Sequence, residues 1–548
     1  MTLKKLEKFS GRSGPLVLII MDGIGLGKKD DNNAFYLAKT PFLDKLQSEW
    51  PAKRLYAELK AHGTAVGLPT DAEMGNSEVG HNAIGGGNVV KQRAVLAKEA
   101  IESKSLFNSQ KWKEFASNIE YNNKALHFIG LLSDGYVHSH ISHLIGLLNG
   151  AKDSHIKKVR VHPLFDGRDV PPQSALKYIK ILEQELDKIN SNGTFDYRIA
   201  SGGGRMRVTM DRYNSDWGVV QRGWEAHVCG FPEKSPEYEG YFRSAEDAIK
   251  KARELDPNIS DQYLPSFVVV DERENPIGIM NDGDGALYFN FRGDRAIQIS
   301  RAFDEGTDFN EFVKICEPKV NYYGLLQYDE KAKIPKNFFI EPPRMKDSLT
   351  QYLCAEKIKQ FAIAETHKFG HVTYFYNGNK DGYVDENYEK YVEIKSDPAE
   401  TIKDNPIMKA MEVKQEFINA INSNEYKYLR VNFANGDMVG HTGNKDAAII
   451  AAEIVDGCVK EICDLVNSKN GITLVTADHG NLDEMNEYQT SHTLNPVMFA
   501  IVDSGYNKEY VINDAIHEPS LGNIAATILN LLGYQKPEEF MKSLIKFL

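Results

Sequence analysis

Leu16-Val17-Leu18-Ile19-Ile20-Met21-Asp22-Gly23 is an unbroken apolar run that stops on a carboxylate and a glycine. An apolar run of this length without polar alternation reads as a strand covered on both faces, which is the habit of parallel sheets. Far along the chain, Ile472-Thr473-Leu474-Val475-Thr476-Ala477-Asp478-His479-Gly480 repeats the pattern. Ligands of open parallel sheets gather where the strands end, so Asp22, Asp478 and His479 are expected to face one site of an α/β fold.

Two further segments carry residues of the same kind. Asp437 and His441 stand four apart in Asn435-Gly436-Asp437-Met438-Val439-Gly440-His441, a spacing that one helical turn or a compact loop aims at a single ion, and His492 adds an imidazole in Ser491-His492-Thr493. Mixed carboxylate and imidazole donors suit Mn, Zn, Co or Fe better than Ca, and paired ions are the usual clamp for phosphoryl transfer. Ser77, in Glu73-Met74-Gly75-Asn76-Ser77-Glu78-Val79-Gly80-His81, supplies a hydroxyl that a metal would activate as a nucleophile. Taken singly, each of these residues reads equally well as a turn or cap residue, with Ser77 capping a helix that begins there. Their convergence points to a two-metal site with a built-in nucleophile.

The chain has 548 residues, more than one core usually organises, so two domains are expected. Its net charge of −12 argues against a general nucleic-acid or anionic-membrane binder. The N-terminal segment lacks the apolar core of a secretory signal, and no stretch is apolar enough to span a bilayer. Cys229, Cys316, Cys354, Cys458 and Cys463 show no metal or redox spacing, so buried free thiols in a reducing, cytoplasmic compartment are expected rather than disulfides.

Metal-type residues occupy both ends of the chain and arginine-bearing loops its middle, which suggests an insertion. The outer domain is read as 1–88 and 338–548 and the inserted one as 92–333, with linkers near 88–92 and 333–338. Within the insertion, apolar runs at Ala125 to Leu132, Val159 to Val161, Tyr197 to Ala200, Phe267 to Val270 and Ala286 to Phe291 alternate with helical stretches. Four of them lead into polar loops holding His138, Arg168 and Asp169, Gly202-Gly203-Gly204-Arg205, and Arg292 with Arg295. If the strands are parallel, those loops share an edge and form a cationic pocket in which guanidinium forks bind carboxylate and phosphate. Asp446 to Val466, with Ile450, Ile454, Cys458, Ile462 and Leu465, and Asn523 to Leu532 read as packing helices.

Met21-Asp22-Gly23, the Glu73–His81 segment, Phe165-Asp166-Gly167-Arg168-Asp169 and Thr476-Ala477-Asp478-His479-Gly480-Asn481 together resemble cofactor-independent phosphoglycerate mutase, of the alkaline phosphatase superfamily, in order along nearly the whole chain. The resemblance implies a phosphatase-like metal-binding domain interrupted by a phosphotransferase domain. It also implies interconversion of 3-phosphoglycerate and 2-phosphoglycerate, in glycolysis and gluconeogenesis, through a phosphoserine on Ser77 and without 2,3-bisphosphoglycerate. By that likeness Asp437, His441 and His492 hold one divalent ion, and Asp22, Ser77, Asp478 and His479 the other, with Mn the first choice and Mg or Co open.

Asp169 is then the acid or base that moves protons at the substrate hydroxyls, with a salt bridge to Arg168 or Arg205 as its plainer reading. Lys368 is the lysine that stabilises charge at the phosphoserine. Substrate contacts fall to His138, Arg168, Asp169, Arg205, Arg212, Arg292, Arg295 and Lys368, although Arg207 competes with Arg205 for one position. Ile24 and Val170 depart from residues common in the family and touch no ligand role. A monomer acting on a small molecule, its two domains closing over glycerate, is the expected form. A metal-dependent phosphatase or phosphopentomutase would keep the metal set without these arginines, whereas a silent scaffold protein would not need Ser77.

Overall fold

The computed structural model describes residues 1–548 apart from 49–54, 213, 344, 346, 399–400 and 486–490. It divides into two compact units, residues 1–92 with 344–548 and residues 93–343.

The outer unit is built on a seven-stranded sheet ordered Glu389–Ile394, Gln360–Glu365, Tyr428–Phe433, Leu16–Met21, Ile472–Thr476, Val497–Asp503, Tyr56–Leu59. The first five strands are parallel, and the last two pair antiparallel. Leu16–Met21 lies between two parallel neighbours with all six residues buried, which is why its sequence shows no alternation. Parallel strands end on one edge. Asp22, Asp478 and His479 follow two of them, and Lys368 and Asp437 sit on short helices, Thr366–Gly370 and Asn435–Gly440, that follow two more.

Lys445–Ser468 packs its alanine- and cysteine-rich face inward, through Ala447, Ala448, Ala451, Ala452, Val455, Cys458, Ile462 and Cys463. Ile450, expected in that face, is instead 45% exposed: the stripe of small residues lets the helix lie close to the sheet and turns Ile450 outward. Ile524–Leu531 is a fully buried helix.

The inserted unit has a second, largely parallel sheet running Phe338–Ile340, Asn321–Leu326, Gly285–Tyr288, Ala125–Leu132, Lys158–Phe165, Ser201–Gly204, Phe267–Val269, Tyr241–Phe242, with Asp196–Ile199 also pairing with Lys158–Phe165. The unit continues past the return expected at 333, because Phe338–Ile340 adds an edge strand to this sheet. Gly202-Gly203-Gly204, expected as a loop, belongs to a buried strand. Neighbouring chain runs so close that a Cβ on Gly202 would stand 2.6 Å from the carbonyl oxygen of Pro163, which leaves room for glycine alone.

One disulfide is found among the described residues, Cys229–Cys316, contrary to the expectation of free thiols. It joins the end of the Trp217–His227 helix to the segment before Asn321–Leu326, with Cα atoms 5.8 Å apart. A separation of 87 residues hid this pairing from any reading of cysteine spacing. Cys354, Cys458 and Cys463 are buried free thiols, as expected. Among the described residues no helix is long and apolar enough to cross a membrane.

Gly80 sets how closely the Ser77–Gly86 helix approaches the strand end bearing Asp478, since an added Cβ would lie 2.7 Å from the Asp478 carbonyl oxygen. Gly80→Ala is expected to cost about 1–3 kcal/mol of stability, the usual penalty of overpacking a dense interior. Urea denaturation measures it, and an unchanged midpoint contradicts this packing.

Candidate active site

Asn76, not Ser77, caps the Ser77–Gly86 helix: its side chain accepts the backbone N–H of Val79 at 3.0 Å. Ser77 is thereby left in the first turn with its hydroxyl free for other work. Its Oγ lies 2.6 Å from Lys368 Nζ, 3.0 Å from His479 Nε2 and 3.2 Å from Asp22 Oδ1. Lys368, which in sequence could have been a solvated helix-end lysine, is 3% exposed. Its ammonium also donates to Asp22 Oδ1 at 2.7 Å and to Asp437 Oδ2 at 2.6 Å. Burial opposes that charge, but the carboxylates of Asp22, Asp437 and Asp478 outweigh it and hold the lysine above its ordinary pKa.

Asp437 and His441 use the helical turn Asn435–Gly440 to meet at one point. Asp437 Oδ1 is 3.1 Å from His441 Nε2 and 3.0 Å from His492 Nε2, and the two imidazole nitrogens are 3.2 Å apart. Metal–ligand bonds of about 2.0–2.2 Å space neighbouring donors at about this distance. His492 Nδ1 lies 2.7 Å from the Gly75 carbonyl; donating there fixes the tautomer that presents the Nε2 lone pair to an ion. Asp22, Asp437 and His479 form a second convergent set, and Asp22, His81 and Asp478 a third.

The electrostatics fit cations. Burial raises the Asp22 pKa, and nearby Asp478 adds to it. Asp437 is also opposed by burial, but Lys368, His441 and His492 pull it well below the carboxylate range. Asp478 Oδ2 is buried without a hydrogen bond. Three buried carboxylates with facing imidazole lone pairs are a donor set for divalent metal, and the Lys368 ammonium alone does not balance it.

The sequence reading missed His81, Asn432 and Asn481. His81 lies one helical turn after Ser77, with Nδ1 3.3 Å from Asp478 Oδ2. Asn432 donates to Asp22 Oδ2 at 2.6 Å, and Asn481 to Asp437 Oδ1 at 3.1 Å. Each sits in or beside a motif already marked: a polar residue breaking the Tyr428–Phe433 run was the available signal.

In the inserted unit the loops at the strand ends bring a second set together. Buried Arg205 donates through Nη1 to Asp166 Oδ1 at 2.7 Å and pairs with Asp169, so the salt bridge expected for Asp169 is formed. Arg207 turns away to Glu233 at 3.1 Å, leaving Arg205 as the inward arginine of that segment. Asp294, unmarked in sequence although it stands between Arg292 and Arg295, lies 3.2 Å from Arg292 Nε, 3.7 Å from Arg212 Nη1 and 3.5 Å from His138 Nδ1. Arg295 is held by the Met210 carbonyl at 2.5 Å, and Arg168 is exposed. Burial, then Arg205, Arg292, Arg295 and Arg212, push the His138 imidazole down to about 2. Arg295 is lowered by burial and by Arg205, Arg212 and Arg168. Five guanidiniums stand here against the carboxylates of Asp166, Asp169 and Asp294, an excess of positive charge of the kind that suits an anion.

A carboxylate and imidazole metal centre at the end of a parallel sheet defines a metalloenzyme, and residues 14–536 match the metalloenzyme superfamily. A Leptospira interrogans protein named "Probable 2,3-bisphosphoglycerate-independent phosphoglycerate mutase" is 46% identical over 99% of this chain and 100% of its own. The Trypanosoma brucei brucei 2,3-bisphosphoglycerate-independent phosphoglycerate mutase is 44% identical over 97% of both chains. A solved structure of Leishmania mexicana phosphoglycerate mutase at low cobalt concentration is 42% identical and covers all of both chains, with a TM-score of 0.71. The chain belongs to the 2,3-bisphosphoglycerate-independent phosphoglycerate mutase family.

Lys368→Met leaves Asp22 and Asp437 without their buried counter-charge. In metal-stripped protein it is expected to cost about 3–5 kcal/mol, and added divalent metal to recover most of the loss. Equal urea midpoints for variant and wild type without metal would contradict this account.

Proposed function

We propose that this protein interconverts 3-phosphoglycerate and 2-phosphoglycerate, in glycolysis and gluconeogenesis, through a phosphoserine on Ser77 and without 2,3-bisphosphoglycerate. The observation that carries the reading is the Ser77 hydroxyl lodged 2.6 Å from a buried ammonium at a helix start, among carboxylate and imidazole donors. Asp437, His441 and His492 would hold one divalent ion and Asp22, Ser77, Asp478 and His479 a second, with Mn the first choice before Mg or Co. Bound there, the ions supply positive charge to the phosphoryl oxygens and acidify the serine hydroxyl.

Ser77 Oγ takes the phosphoryl group of the substrate. Lys368 stabilises the negative charge on that oxygen before attack and on the phosphoserine after it, and the helix N-terminus favours the same phosphate. Asp169 gives a proton to the departing glycerate oxygen. Arg168, Arg205, Arg212, Arg292 and Arg295 retain the glycerate through its carboxylate, and neutral His138 donates to the phosphoryl group without adding a charge. Once glycerate has turned, Asp169 removes the proton of its other hydroxyl, which attacks the phosphoserine and frees Ser77. Burial of Ser77, Asp22, Asp478 and His479 supports the exclusion of water that separates a mutase from a phosphatase. The reading takes the protein as a cytoplasmic monomer with a small-molecule substrate.

Metal-loaded protein given 3-phosphoglycerate alone is expected to feed enolase while releasing little free phosphate. Ser77→Ala and chelation are each expected to abolish the signal. Free phosphate without 2-phosphoglycerate would overturn the reading in favour of a phosphatase.

A further inference from the structure

Away from both sites, three buried histidines of the inserted unit are joined to one another through hydrogen bonds, and this chemistry does not use them. His127 on Ala125–Leu132, His162 on Lys158–Phe165 and His227 at the end of Trp217–His227 are each at most 1% exposed. Hydrogen bonds join them in one line. His127 Nδ1 is 3.0 Å from His162 Nε2, and His162 Nδ1 is 2.6 Å from Ser201 Oγ. Ser201 Oγ is 2.7 Å from His227 Nδ1, whose Nε2 is 2.9 Å from Thr209 Oγ1. At the far end, Asp284 Oδ2 lies 3.5 Å from His127 Nε2.

The negative charge of Asp284 sets the direction of this line, although its contact with His127 Nε2 is too long for a hydrogen bond. Its carboxylate already accepts the backbone N–H groups of Ala125 and Asn281, at 2.9 and 2.8 Å, and it only accepts when ionised. His127 therefore carries its proton on Nε2 and accepts at Nδ1, and His162 donates from Nε2. Ser201 then donates to His162 Nδ1 and accepts from His227 Nδ1, so that His227 Nε2 receives the Thr209 hydroxyl proton. The reverse order would turn a lone pair of His127 on the carboxylate. All three rings are neutral in this arrangement, in keeping with burial, which lowers their pKa values, that of His227 to about 3.

Thr209 holds φ +69°, a conformation that a β-branched residue adopts only when its surroundings impose it. It stands between Arg205 and Arg212, and the next carbonyl, Met210, receives Arg295. We infer that the line from Asp284 through His127, His162, Ser201 and His227 is a positioning device that pins Thr209, and so orients the loop whose arginines hold the anionic substrate. The inference rests on the functional reading above for the identity of that substrate.

Histidine-selective 15N spectra of the metal-loaded full chain test it directly. The expected pattern is a neutral ring at each position, protonated on Nε2 in His127 and His162 and on Nδ1 in His227. Thr209→Val, which removes the hydroxyl, is expected to raise KM for 3-phosphoglycerate about tenfold with kcat little changed, the scale of a displaced charge-assisted contact, and Thr209→Ser to restore it. An opposite tautomer or a charged ring at any of the three, or an unchanged KM in Thr209→Val, overturns the proposal. A wild type that turns over no 3-phosphoglycerate overturns instead the functional reading, and the tautomer pattern then decides the proposal alone.

Discussion

Three carboxylates, Asp22, Asp437 and Asp478, are buried close together at the end of a parallel sheet, and the rest of the outer unit answers the cost of placing them there. Ionised groups of like sign at this depth are tolerated only when counter-charge is brought to them. The sheet does this through position: parallel strands end together, so each strand end delivers one group to the same place. Among the described residues Lys368 is the permanent cation delivered there, and His441, His479 and His492 add lone pairs that suit a metal. Ser77 joins these groups because its helix starts beside them.

The inserted unit uses the opposite sign. Its strand ends gather guanidiniums, and burial, with their common field added to it, holds the His138 imidazole neutral far below the usual histidine range. Asp166, Asp169 and Asp294 moderate that field without cancelling it. Phosphoglycerate carries a phosphate and a carboxylate, and each unit suits one of these groups.

What the sequence disclosed follows from local rules. The runs ending at Asp22 and Asp478 announced buried parallel strands because no alternation interrupts them, and the spacing of Asp437 and His441 announced a shared target reached by a helical turn or a compact loop, of which the fold uses the turn. What stayed hidden depends on packing between distant segments. Nothing local separates Lys368 from a surface lysine, or Arg205 from Arg207, until the fold buries one and turns the other toward Glu233. Cys229 and Cys316 meet only through the tertiary fold, and Gly202-Gly203-Gly204 reads as loop because the closeness of its neighbours leaves no mark in composition. His81 and Asn432 escaped notice because they act through other side chains and need no motif of their own.

The central claim is that the phosphoryl group rests on Ser77 during turnover. Metal-loaded protein mixed with 3-phosphoglycerate, quenched in acid within a turnover, digested and examined by mass spectrometry tests it most directly. One phosphoryl group on the peptide containing Ser77, lost again when glycerate is supplied, is the predicted result. Sustained turnover with that peptide unmodified, or with phosphate on another residue, would contradict the account.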